Sequence, residues 1–200
     1  AAAAAAVKER LLVLAAASNR GFSTADDEGI RSAAEDLEAL APATEPNYGL
    51  MEGFSPLLGE WRLLWTDALD VLTVGLLPGV EVGDVQQNVQ LVGSTSLEVV
   101  NVIEFQPKGS PLLKRALGPT TARLRVTAEA TPEGPDGLRI IFRKSRFEPQ
   151  LLLGRPVDML SPPALRFPPN NGGVFTTTYL DSALRVARTQ RGERFVLLRM

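Results

Sequence analysis

The sequence predicts an all-β fold, an eight-stranded antiparallel barrel preceded by one or two N-terminal α-helices. Two observations point to it. From residue 59 onward apolar residues recur at every second position in eight successive segments, the period of a half-buried strand. Most of these segments are joined by short connections, and neither end strand carries edge protection, so an antiparallel meander of this size gains by closing on itself.

The helical start comes first. Val7, Leu11 and Leu14 fall at i, i+4 and i+7 within a helix expected over Val7–Ala17, which Ser18–Gly21 stops. Ser23 or Thr24 then offers an N-cap, and Asp26, Asp27 and Glu28 load the next first turn with negative charge. Ile30, Ala33, Ala34, Leu37 and Leu40 make one face of this second helix, and Ala41-Pro42 ends it. The expected organisation is a helical extension over residues 1–22 and a barrel domain over 23–200, with its helix at 24–41 and its strands at 57–200. Pro42 to Pro56 reads as a linker running over the surface.

The strands follow in order. Gly59–Thr66 places Trp61, Leu63 and Trp65 on one face. Gly83–Leu91 alternates Val85, Gln87, Val89 and Leu91 against polar neighbours, and Leu97–Phe105 does the same with Leu97, Val99, Asn101, Ile103 and Phe105. Gly93-Ser94-Thr95 between them suits a hairpin turn. Thr121–Ala130 and Leu138–Phe147 flank a Pro/Gly/Asp turn at 132–137. A long Pro-rich connection then leads to Gly173–Leu180, Ala183–Thr189 and Arg194–Arg199. Closure is expected between Arg194–Arg199 and Gly59–Thr66, with Phe195 and Leu197 facing inward beside Trp61.

Composition excludes much chemistry. The 200 residues contain no Cys and no His, which removes disulfides, Cys/His zinc sites, thiol nucleophiles and imidazole bases. No phosphate-binding glycine loop, EF-hand or nucleophile elbow occurs. Asp67 and Asp70 lie just past a strand and read as a solvated loop. No catalytic residue, metal or cofactor is expected. The net charge of −2 gives no reason to expect nucleic-acid binding. It is unevenly spread: residues 1–120 carry 8 basic and 16 acidic side chains, residues 121–200 carry 13 and 7. Mutual neutralisation of neighbouring strands, or a basic face for a membrane or acidic partner, would use this asymmetry. The chain opens without Met and without a clear signal peptide, and reads as processed or trimmed.

Two segments are more specific. One is Leu58-Gly59-Glu60-Trp61-Arg62-Leu63-Leu64-Trp65-Thr66, whose G-x-W resembles the lipocalin signature. The other is Phe175-Thr176-Thr177-Thr178-Tyr179-Leu180-Asp181 with Leu184-Arg185-Val186-Ala187-Arg188 and Gly192-Glu193-Arg194-Phe195-Val196-Leu197. Together, and with Gly83-Asp84-Val85-Gln86-Gln87-Asn88-Val89, they resemble the plastid lipid-associated protein (fibrillin, or plastoglobulin) family over about residues 24–199. Trp65 stands where that family usually has Tyr.

The resemblance implies a lipocalin-like barrel that binds or organises lipids, quinones, carotenoids or fatty acids, peripheral to thylakoids or plastoglobules in the chloroplast. A scaffold subunit of a membrane protein complex in a photosynthetic assembly is the alternative, and a lipocalin-like isomerase or cyclase a further one. The candidate cavity residues are Trp61, Leu63, Trp65, Gln87, Val89, Asn101, Ile103 and Tyr179, with Asp181 near the mouth. Gln87 and Asn101 suit either a satisfied core hydrogen bond or a ligand head group, and the tryptophans either core packing or a stacking wall. Arg185, Arg188, Phe195 and Arg199 are expected to be structural, at the barrel closure, with one arginine over Trp61. The uncharged stretch Val71–Val80, with Val71, Leu72, Leu76 and Leu77, suits a flap or a membrane-facing loop.

Overall fold

Strand pairing closes the sheet into a ring. The computed structural model describes residues 2–23, 26–73, 78–93, 96–109, 115, 118–157, 161–169 and 171–200. Helices α1 (Ala2–Ala17) and α2 (Asp27–Leu40) precede β1 (Gly59–Thr66) and a single helical turn, α3 (Leu69–Leu72). Then come β2 (Val80–Val92), β3 (Ser96–Pro107), β4 (Thr121–Glu133), β5 (Gly137–Leu152), two-residue strands β6 (Arg155–Pro156) and β7 (Leu165–Arg166), β8 (Gly172–Leu180), β9 (Leu184–Thr189) and β10 (Arg194–Arg199). The antiparallel order β4-β3-β2-β1-β10-β9-β8-β5, with β4 also pairing β5, returns to its start, so eight strands form a closed cycle and β6 and β7 hang on β5. The β1–β10 pairing expected from the sequence is present, with Trp61 opposite Arg199 and Leu63 opposite Leu197.

β2 to β5 and β8 extend beyond the boundaries expected from the sequence, β1 and β10 match them, and β9 begins one residue later. The pairing of β4 with β5 runs past Pro149, which sits opposite Ala122 beside a register shift. The second helix is capped neither by Ser23 nor within the described residues by any other hydroxyl. Its N-cap is Asp26, whose carboxylate accepts from the Gly29 amide. Thr24 lies outside the described residues, as do Ser94 and Thr95 of the β2–β3 turn.

Two apolar clusters sit on opposite sides of the strands. The first fills the ring and includes Trp61, Leu63, Val85, Val89, Val99, Ile103, Ala128, Leu138 and Leu197. The second lies outside it, between the helices and the outer faces of β1, β8, β9 and β10. Leu11 and Ala15 of α1 and Ile30, Ala33, Ala34 and Leu37 of α2 cover Trp65, Tyr179, Leu184, Val186 and Val196 there. The helices therefore pack on the flank of the ring. β9 is buried on both faces as a result, Leu184 to Ala187 without interruption.

The segment 42–56 departs from the expected surface linker. Leu50 is fully buried in the interior cluster, as is Leu57 just after the segment, whose carbonyl accepts from Trp61 Nε1 at 3.0 Å. Asn47 donates to the carbonyls of Gly134 and Gly137 in the β4–β5 turn. This segment thus closes one end of the ring. No described helix is long and apolar enough to cross a membrane.

Candidate functional site

The opposite end holds a cavity of about 680 Å³. It lies at the start of β2, the end of β3, the start of β4 and the end of β5, which the antiparallel register brings together: Val80 opposite Pro107, Phe105 opposite Ala122, Leu124 opposite Phe147. Its walls are Val80, Phe105, Pro107, Ala122, Leu124, Phe147, Pro149, Leu151, Leu152 and Val157, with Thr73, Gln106, Thr120 and Thr121 as the polar exceptions. Phe105 belongs to the interior cluster, and Val80, Ala122 and Leu124 pack on it, so the cavity floor is the top of the core. An apolar concavity with few polar groups suits an apolar molecule.

None of the cavity candidates chosen from the sequence lines this space. Trp61, Leu63, Val89 and Ile103 do meet inside the ring, as core. Between them Gln87 Nε2 donates to Asn101 Oδ1 at 3.0 Å, so these two amides are interior and hydrogen-bonded to each other. The missed residues carried a faint signal, because Phe105, Ala122 and Leu124 continue the inward parity of their strands. What placed them at an opening was the sheet register.

Trp65 and Tyr179 are corrections. A register shift between Leu63 and Trp65 inserts Leu64 and sets Trp65 opposite Val196, on the helix side. Its indole donates to Asp27 Oδ1 at 3.0 Å. A second shift, between Thr177 and Tyr179, sets Tyr179 opposite Val186 and turns it outward in the same way. Both belong to the cluster under α1 and α2.

Asp181 also faces the helices. Its Oδ1 accepts from the amides of Ala183 and Leu184, which caps the β8–β9 turn. Its Oδ2 accepts from the Tyr179 hydroxyl at 2.6 Å and from Lys8 Nζ at 2.5 Å. Burial pushes the Asp181 carboxyl up, but the hydrogen bonds from Lys8, Tyr179 and the two amides outweigh it and hold it at about 2. Burial, and then the bond to Asp181, raises the Tyr179 hydroxyl above its ordinary range. This constellation anchors α1 and leaves Asp181 away from the cavity.

The arginines divide by face. Arg199 lies over Trp61, its guanidinium carbon 4.3 Å from the ring centroid, and Nη1 donates to the Leu58 carbonyl. Gly59 has φ 121°, a backbone conformation that strains any residue with a Cβ, which is why a glycine stands there. Phe195 packs on the interior cluster and against Phe175, centroids 5.7 Å apart. Arg188 is not at the closure. It projects to α2 and forms a bidentate pair with Glu38, and that pairing with buried Glu38 raises it. Arg194 pairs with Glu35 at 2.5 Å and approaches Glu38. These pairs, like Arg123–Glu104 at 2.8 Å, join the basic strands to acidic neighbours. Asp67 accepts from the Arg194 amide and pairs with Arg31.

Arg185 departs most from expectation. It is 2% exposed and faces the ring interior, where Nη1 donates to Gln87 Oε1 at 2.9 Å. It links β9 to β2 across the interior and takes no part in the β1–β10 seam. In the segment Leu184-Arg185-Val186-Ala187-Arg188, the apolar Leu184 and Val186 face the helices, which leaves Arg185 and Ala187 to face inward.

Of the expected flap, Val71 packs on the interior cluster and Leu72 ends α3, while Thr73, Gly79 and Val80 edge the cavity. Leu76 and Leu77 lie outside the described residues.

Residues 5–198 match the family model PAP_fibrillin. The chain is 27% identical over 193 residues to the Arabidopsis thaliana protein named "Probable plastid-lipid-associated protein 11, chloroplastic", covering 95% of this chain and 77% of that one. It is 27% identical to plastid-lipid-associated protein 6, chloroplastic, of the same plant, covering 94% and 67%. It is 26% identical to the light-induced protein, chloroplastic, of Solanum tuberosum, covering 90% and 63%. No solved structure matches the chain.

Proposed function

We propose a lipid-binding function, from the premise that this chain belongs to the PAP_fibrillin family. The closed cycle of strands is a lipocalin-like barrel that holds one apolar small molecule (a lipid, quinone, carotenoid or fatty acid) and catalyses no reaction on it. The observation that carries this is the cavity of about 680 Å³ whose walls are almost wholly apolar, at the one end of the ring that segment 42–56 leaves open. Burying about ten methylenes there supplies several kcal/mol at roughly 0.8 kcal/mol each, offset by ordering and association costs. The relatives are named chloroplastic, and the plastid is this chain's compartment.

The setting is a thylakoid or plastoglobule surface. Phe147 and Leu152 are exposed on the cavity wall and Leu165 is exposed on β7, which pairs with β5, while Lys144 and Arg146 of β5, Arg155 of β6 and Arg166 of β7 supply positive charge. An apolar patch flanked by cations suits an anionic lipid surface.

Native mass spectrometry with extraction of co-purified lipid tests the function. One apolar molecule per chain is expected, with occupancy reduced in Ala122→Trp, which places an indole on the cavity wall. A chain that takes up no apolar compound, while folded, refutes it in favour of a scaffold role.

A further inference from the structure

Arg185 is an interior cation without a counter-charge. Among the described residues no carboxylate pairs with it, in contrast to the buried Arg194, which has Glu35 and Glu38. Its Nε is buried and has no hydrogen-bond partner. Burial alone acts on it and pulls the guanidinium down to about 10, so it keeps its proton at neutral pH. A structural role at this position would be filled better by an apolar side chain, because a buried charge left uncompensated is strongly unfavourable. Gln87 Oε1 accepts from Nη1, the Gln87 amide is held in turn by Asn101 Oδ1, and Nε is left for another acceptor.

We propose that Arg185 binds the carboxylate of a long apolar acid that enters the ring from the cavity at Phe105, its tail displacing the interior packing along β3 past Ile103, with Gln87 orienting the guanidinium. This rests on the lipid-binding function above and specifies its ligand class. Asn101 and Phe105 are four residues apart on one strand face, roughly 13 Å at 3.3 Å per residue, a span that a long-chain acid covers. An ionised acceptor on a guanidinium forms the stronger, charge-assisted kind of hydrogen bond. The acid is either a straight-chain fatty acid or an isoprenoid carboxylic acid.

Calorimetric titration of the full chain with hexadecanoate, retinoate and hexadecanol separates these. One or both acids are expected to bind about tenfold to a hundredfold more tightly than the alcohol, the range of a hydrogen bond to a charged group. The acid that shows the preference identifies the source. In Arg185→Met the acid and the alcohol should bind alike. Equal affinity for acids and alcohol in the unaltered chain overturns the carboxylate site and leaves lipid binding standing. No binding of any of the three overturns both. Should Arg185→Met fail to fold, the carbon-13 resonance of carboxyl-labelled hexadecanoate on the unaltered chain decides. It is expected to stay in the ionised position well below the ordinary carboxyl range of about 4, and titration in the ordinary range overturns the site.

Discussion

The indole Nε1 of Trp65 donates to Oδ1 of Asp27 at 3.0 Å, joining the outer face of β1 to the first turn of α2. Trp65 is fully buried, so this bond both satisfies its only polar atom and fixes where the helix starts against the ring. Asp27→Ala leaves that donor without an acceptor. A loss of about 1–3 kcal/mol is expected, measured by urea denaturation. An unchanged midpoint counts against the bond.

The two tryptophans should separate stability from binding. Trp65→Ala opens a void under the helices and should reduce stability by about 3–5 kcal/mol. Because Trp65 sits on the helix side, the affinity of the folded fraction for an apolar ligand should stay the same. Phe105→Ala, on the cavity wall, should alter that affinity instead. Fluorescence titration of both variants checks the contrast, and a ligand effect confined to Trp65→Ala reverses the assignment of faces.

Lowering the pH should loosen α1. Asp181 is held at about 2 against an ordinary value of 3.8, so the folded state favours its ionised form. That contribution is fully present above about pH 4 and disappears as the pH falls through 3.8 toward 2. Proton uptake breaks the pairing with Lys8 and weakens the hold of Tyr179. Asp181→Asn should be less stable than the parent at pH 6 and equal to it near pH 2. Parallel curves across that window would exclude Asp181 as the source.

Glu38 is the hub between α2 and the strands. It is buried and accepts from Arg188 and from the Thr178 hydroxyl. Glu38→Gln should lower stability by about 1.5–3 kcal/mol. In the Arg188→Met background the same change should matter less, since the chief cation is already gone, and a double-mutant cycle measures the difference. Strict additivity would show that the pair contributes nothing.

Removing residues 192–200 deletes β10 and leaves β1 and β9 as open edges. It also takes Arg199 from Trp61 and Leu197 from the core. The truncated chain should fail to fold. A cooperative thermal transition by circular dichroism would show that closure is dispensable.

The sequence by itself determined where chain direction reverses and which residues share a strand face. Its turn residues and period-two runs place all eight ring strands within a few residues, and the eight-strand count predicts the β1–β10 seam. Which face looks inward was decided only by tertiary structure. Once α1 and α2 cover β1, β8, β9 and β10, both faces of those strands are buried, and an apolar face no longer marks the interior. Two one-residue shifts then invert parity midway, sending Trp65 and Tyr179 to the helices while Trp61 and Leu63 stay inside. Because side chains alternate strictly along a strand, a single inserted residue moves every later one to the opposite side. The same alternation puts Arg185 in the core, where no local signal announces a cation, and the register of four strand ends assembles the cavity from residues far apart in the chain.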